Sequence, residues 1–174
     1  NKAPMEKLKK EALPDYCPMK HVPEFIQETH KRYEEKEVRD EYRPSTITEF
    51  EAYMEVRGVK MAVRPRVKEL IEYGKMMGIK TMGVAFCAGL KDEANRLTDI
   101  LESQGYQVAS VLCKCGGIDK TLLGVEKQYK INDPESFEAG CNPILQAQLL
   151  DKAGSELNII VGLCLGHDIM FTKY

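Results

Sequence analysis

No stretch of this chain approaches the roughly 18 consecutive apolar residues of a membrane-spanning helix, and no signal-peptide pattern is visible at its polar, basic start. Neither sign of charge dominates: 25 Lys and Arg stand against 27 Asp and Glu, a formal net charge of −2. That balance leaves no electrostatic footprint for nucleic acid or an anionic membrane, and neither is expected as a partner. Paired Cys-x-x-Cys zinc knuckles are missing. The glycines after the first strand-like run do not spell Gly-x-Gly-x-x-Gly, which argues against a dinucleotide site. What is left is an ordinary soluble composition, 43% hydrophobic and 30% charged, in 174 residues. A core of that size needs no covalent staples. The six cysteines are therefore read as thiols of a reducing compartment, here the cytoplasm, that serve a metal or catalysis.

Three short apolar runs each end in a cysteine followed by glycine-bearing turn residues. They are Ile79–Phe86 before Cys87-Ala88-Gly89, Tyr106–Leu112 before Cys113-Lys114-Cys115-Gly116, and Leu157–Leu163 before Cys164-Leu165-Gly166. Each reads as a buried strand. Helical segments between them predict parallel pairing, which places three thiols at one carboxyl edge, where open α/β sheets bind their ligands. The expected fold is α/β, a small parallel Rossmann-like sheet with flanking helices and an N-terminal helical extension.

Residues 1–21 read as an irregular arm and 22–174 as a single α/β domain, with a helical part (22–78) and a sheet part (79–174). The chain opens on Asn1 rather than Met and stops at Tyr174 soon after its most motif-like segment, so truncation at both ends is allowed for. Val22, Phe25, Ile26, Thr29 and Tyr33 fall on one helical face, and the spacing predicts a helix to about Tyr42, ended by Arg43-Pro44. A second helix is expected from Ser45 or Thr46 to about Arg57, with Ile47, Phe50 and Met54 on one side. A third carries Val67, Leu70, Ile71 and Gly74 and is closed by Gly78. In the sheet part, residues 90–104 form a helix whose Leu90, Ala94, Leu97 and Leu101 face the strands. A long connection then runs from Gly116 to Gly140. After it, Asn142 reads as an N-cap and Pro143 as the first residue of a helix to about Ala153.

Cys141 directly precedes that capped helix, whose positive end favours thiolate. Cys87, Cys113, Cys141 and Cys164 are thus the primary candidates for metal ligands, with Cys115 as a fifth or a neighbour at the rim. Cys17, in the arm, and His167 complete the candidates, and Asp168 is a possible orienting group. Widely separated single ligands suit an iron–sulfur cluster better than zinc, whose ligands usually come in close pairs. A redox partner or an unidentified small molecule follows as the partner class. A competing reading makes Cys164 a nucleophile. Leu163-Cys164-Leu165-Gly166-His167 resembles the cysteine turn of class I glutamine amidotransferases, with the Leu165 N–H helping to hold an oxyanion. His167 follows that cysteine too closely to serve as the family's partner histidine.

Taken together, Tyr16-Cys17-Pro18-Met19, Gly83–Leu90, Ser110–Lys114, Cys141-Asn142-Pro143-Ile144 and Gly162–Asp168 resemble one cysteine-rich domain-of-unknown-function family. Its members are labelled uncharacterised metal-binding proteins of bacteria and archaea. The resemblance implies cysteine ligation of a metal and points to Cys17, Cys87, Cys113, Cys141, Cys164 and His167. Members usually carry further cysteines ahead of the position matching Cys17, which this chain does not have.

Overall fold

A computed structural model describes residues 13–174. Residues 1–12 of the expected arm lie outside the described residues, and its end forms a single helical turn, α1 (Pro18–His21). Helix α2 (Pro23–Arg32) follows, and α3 (Lys36–Glu51) begins after a break at Tyr33–Glu35. The expected stop at Pro44 is corrected, because α3 runs straight through it. A proline inside a helix removes one amide donor. Neighbouring hydroxyls supply local bonds around it, Ser45 Oγ donating to Tyr42 O (2.7 Å) and Thr48 Oγ1 to Pro44 O (2.9 Å).

The second expected helix is also corrected. In place of its C-terminal half, β1 (Tyr53–Val56) and β2 (Val59–Ala62) form an antiparallel hairpin. Arg57 and Gly58 turn it with φ of 52° and 79°, the paired positive values of a two-residue hairpin turn. Met54 had fitted the helical stripe after Ile47 and Phe50, but the alternation of Tyr-Met-Glu-Val and the glycine at the turn carry the local preference. Every residue of both strands is exposed.

Helix α4 (Arg66–Met77) ends at Gly78, whose φ is 72°. From there the expected alternation holds: β3 (Thr81–Phe86), α5 (Lys91–Ser103), β4 (Gln107–Leu112), α6 (Pro143–Lys152), β5 (Leu157–Val161) and α7 (His167–Lys173). The strands form a three-stranded parallel sheet in the order β4-β3-β5, flanked by helices. Side chains of β3 alternate between two cores. Met82, Val84 and Phe86 pack with Ile71 of α4 and with Ala94 and Leu101 of α5, and Ala85 packs on the other face with Leu150 of α6 and Phe171 of α7. A Cβ on Gly83 would stand 2.1 Å from Asn158 Oδ1 and 3.0 Å from Leu150 Cδ1, so α6 approaches the sheet closely there. Among the described residues no helix is long and apolar enough to cross a membrane.

Candidate functional site

The last residues of β3 and β4 pair in register, Phe86 with Leu112, so the chain leaves both strands at the same level. Cys87 follows β3 directly. Its N–H continues the ladder to Val161 O (3.1 Å), and its carbonyl accepts from Leu90 N (2.8 Å), which starts a short 3-10 turn over Ala88–Leu90 leading into α5. Cys113 follows β4 and donates its N–H to Phe86 O (2.8 Å). The strand ends at Leu112, so Cys113 and Cys115 both belong to the tight turn that follows.

Cys113 is 3% exposed, and its Sγ accepts the Ala88 N–H at 3.3 Å. Burial pushes its thiol up to about 11, although the Ala88 N–H acts the other way, and the adjoining Cys141 thiol and the charge of a Cys87 thiolate push it further up. The Cys113 thiol therefore feels both Cys141 and Cys87. Cys115 is half-buried. Its thiol is also raised, by burial first and by Cys113 second, and its Sγ donates to Asn142 O at 3.6 Å.

Cys141 is brought to this place by two devices. Asn142 caps α6, its side chain accepting from Leu145 N (3.1 Å), and its own N–H donates to Cys113 O (2.7 Å). The second device is a clasp within the 116–140 connection. There the bridge between Asp119 and Ala139 folds the segment back on itself, with Lys120 N donating to Glu138 O (2.9 Å) and Gly140 N to Ile118 O (2.8 Å). Asp119 accepts from Glu138 N (2.8 Å), from Thr121 N (2.9 Å) and Oγ1 (2.7 Å), and from the buried Lys130 Nζ (3.1 Å). Glu138 pairs with Lys120 and accepts from Ile131 N (2.8 Å). The connection is thus an ordered strap that starts at Cys115 and returns the chain at Cys141.

The clasp carries a pH dependence. The Glu138 N–H, followed by the Thr121 donors, holds Asp119 well below the usual carboxylate range, and Lys120 lowers Glu138. Groups lowered on folding contribute stability above their unfolded values of about 4, which fades as the pH falls toward their folded values. Between about pH 5 and pH 3 the amides of Thr121, Ile131 and Glu138 are expected to lose exchange protection while that of Leu101 keeps it. Amide-resolved NMR across that range is the check, and equal protection at both ends of the range would remove the clasp from the account. Asp119→Asn should abolish most of the pH dependence.

Cys164 lies three residues beyond the end of β5. The third strand was expected to reach Leu163, but Gly162 turns the chain at φ 61° and β5 stops at Val161. A Cβ on Gly162 would lie 2.1 Å from Leu90 Cδ1, so the turn is packed as well as bent. Cys164 is exposed, and its carbonyl accepts from His167 N (2.9 Å) in the turn that starts α7. A nucleophile elbow holds its nucleophile in a sharp, strained turn. Here the positive φ values are borne by Gly162 and Gly166, and Arg57 is the one non-glycine with positive φ among the described residues. His167 opens α7, and its Nδ1 is buried without a hydrogen-bond partner. Asp168 Oδ1 is taken up by Gly166 N (3.0 Å) and Ile169 N (2.8 Å). Cys17 precedes α1, half-buried, with its backbone closing turns to Pro14 and Lys20. Among the described residues no three His, Cys, Asp or Glu side chains form a ready-made coordination set.

Sequence reasoning missed Gln146. It is fully buried, and its Nε2 donates to Val111 O (2.8 Å) and Phe86 O (3.4 Å). The signal was its place between Pro143 and Leu150 on the inward face of α6, where an apolar residue is the norm.

The fold and this strand-end cluster define a mixed helix and strand protein with cysteines gathered at the carboxyl edge of a parallel sheet. More narrowly, the chain belongs to the family described as protein of unknown function (DUF1847), whose model matches residues 17–174. Over 128 residues, 74% of this chain, it is 49% identical to the uncharacterized protein MJ0455 of Methanocaldococcus jannaschii. The matched part spans 63% of that relative's length. No solved structure matches the chain.

Proposed function

We propose that the protein binds a metal centre, an iron–sulfur cluster or zinc, through cysteine thiolates at the carboxyl ends of β3 and β4. Cys87, Cys113 and Cys141 are the favoured ligands, and Cys115, Cys164, Cys17 and His167 are the candidates for the remaining position. The observation that carries this reading is that the Cys113 sulfur accepts the Ala88 N–H at 3.3 Å, one residue from Cys87, while its carbonyl accepts the Asn142 N–H at 2.7 Å, one residue from Cys141. Crowded thiols raise one another's pKa, whereas a bound cation reverses that sign and deprotonates them. Soft sulfur donors suit zinc and iron–sulfur clusters. Cysteine has a single side-chain torsion, and a change of rotamer moves its Sγ by about 3 Å, enough for adjoining thiols to converge. In this reading the sheet is a small Rossmann-like unit, residues 22–78 are its N-terminal helical extension, and the ligand edge is the one such sheets use.

When bound, a cluster supplies one-electron transfer, and zinc supplies Lewis acidity. The chain's own contribution is to bury Cys113, to offer its sulfur the Ala88 N–H, and to return Cys141 beside it through the clasp. A redox partner or a small-molecule substrate follows as the partner class. Anaerobic purification with iron and zinc analysis and a visible spectrum tests the reading. Near-stoichiometric metal is expected. A colourless protein with neither metal after anaerobic reconstitution overturns it.

A further inference from the structure

We infer that Gln146 is the positioning residue of the thiol cluster, holding the three chain segments that carry Cys87, Cys113 and Cys141 in one register. As a statement about a metal site, this rests on the reading above. As a statement about thiol spacing, it stands by itself.

The side chain is 0% exposed, and its single amide nitrogen donates to Val111 O at 2.8 Å and to Phe86 O at 3.4 Å. Phe86 is the residue before Cys87, and Phe86 O also accepts the Cys113 N–H (2.8 Å). Val111 lies two residues before Cys113. One amide group therefore ties the ends of β3 and β4 together just behind both thiols. The third segment is tied through the helix itself. Gln146 sits one turn into α6, with its N–H on Asn142 O (3.0 Å), and Asn142 in turn donates to Cys113 O (2.7 Å). Cys141 is the next residue back.

Packing alone gives no reason for glutamine here. Its Oε1 is buried with no hydrogen-bond partner, and a buried unpaired acceptor is a net cost. Methionine has nearly the same length and no such cost, and volume-conserving apolar replacements are well tolerated in cores. What methionine cannot do is donate to the two strand-end carbonyls. Groups that orient ligands from behind typically change metal affinity about 10–100-fold when lost.

The test compares Gln146→Met and Gln146→Leu with the full wild-type chain. In the metal-free protein, iodoacetamide alkylation of each cysteine is followed by mass spectrometry, alongside thermal unfolding. In parallel, Co²⁺ is titrated anaerobically and its thiolate absorption recorded. Gln146→Met is expected to keep the wild-type Tm or exceed it, to expose Cys113 to several-fold faster alkylation, and to weaken Co²⁺ binding by about tenfold or more. Gln146→Leu also lacks the donor, with a different apolar shape, so it should show the same thiol and Co²⁺ changes. Unchanged alkylation and unchanged Co²⁺ affinity in both variants overturn the inference. If wild type shows no thiolate–Co²⁺ band and holds neither iron nor zinc, the metal reading is what fails. The alkylation rates then decide the positioning role alone, and unaltered rates overturn it.

Discussion

On the proposed metal reading, Cys113→Ser is expected to abolish metal binding, with an affinity loss greater than the about 10–100-fold that follows loss of a supporting group. Cys113 is the buried member of the group, its sulfur fixed by the Ala88 N–H beside Cys87 and its carbonyl by the Asn142 N–H beside Cys141. Serine matches its shape and can still accept that N–H, so the fold should survive. Its hydroxyl is a harder, far less acidic ligand than a thiol and does not suit a thiolate-selective site. Cys115→Ser is the matched control. Its sulfur turns toward Asn142 O, and most of the metal should be retained. Metal content of the two purified variants, normalised to protein, gives the answer. Retention in the Cys113 variant with loss in the Cys115 variant would reverse the assignment.

The largest effect on stability is expected from Leu150→Ala. Leu150 is 0% exposed and packs with Ala85 and Phe171, flanked by Ala109, Val111, Ala147 and Leu163. Opening a cavity at such a site costs about 2–5 kcal/mol, a large part of the about 5–15 kcal/mol that holds a domain together. The fall in Tm should be about 10 °C. Ile131→Ala, at a residue 82% exposed, should stay within about 0.5 kcal/mol of wild type. Denaturant titration of both variants is the measurement, and a Leu150 variant as stable as the Ile131 variant would mean that the α6 face is not packed as described.

The parts of the fold set by neighbouring residues were legible in the sequence. Gly78 stops α4, Asn142 and Pro143 start α6, and the apolar runs become β3, β4 and β5 to within a few residues. Local chemistry also singled out the cysteines at strand ends and at the α6 cap, and backbone bonds bring the segments of Cys87, Cys113 and Cys141 side by side. Other features depend on partners distant in the chain. Pro44 continues a helix because the surrounding hydroxyls and the packing of α3 on α4 sustain it. The Asp119–Glu138 clasp joins residues across an ordered strap whose composition reads as a loop. Gln146 acquires meaning only when β3 and β4 end beneath it. The third strand was expected to reach Leu163 because Gly162 was read within the apolar run, whereas Gly162 is already the turn and β5 stops at Val161.

The order of the cysteines along the chain gives the cluster a history. Parallel neighbours are joined by crossovers rather than hairpins, so Cys87 and Cys113 reach the same sheet edge only once the chain has come back and β4 has paired with β3. Cys141 joins them later still, once the strap has closed and α6 has docked. During synthesis, at about 5–20 residues per second, the cluster is absent until the last part of the sheet region has emerged. It is assembled by the native topology, and no short stretch of the chain can form it alone.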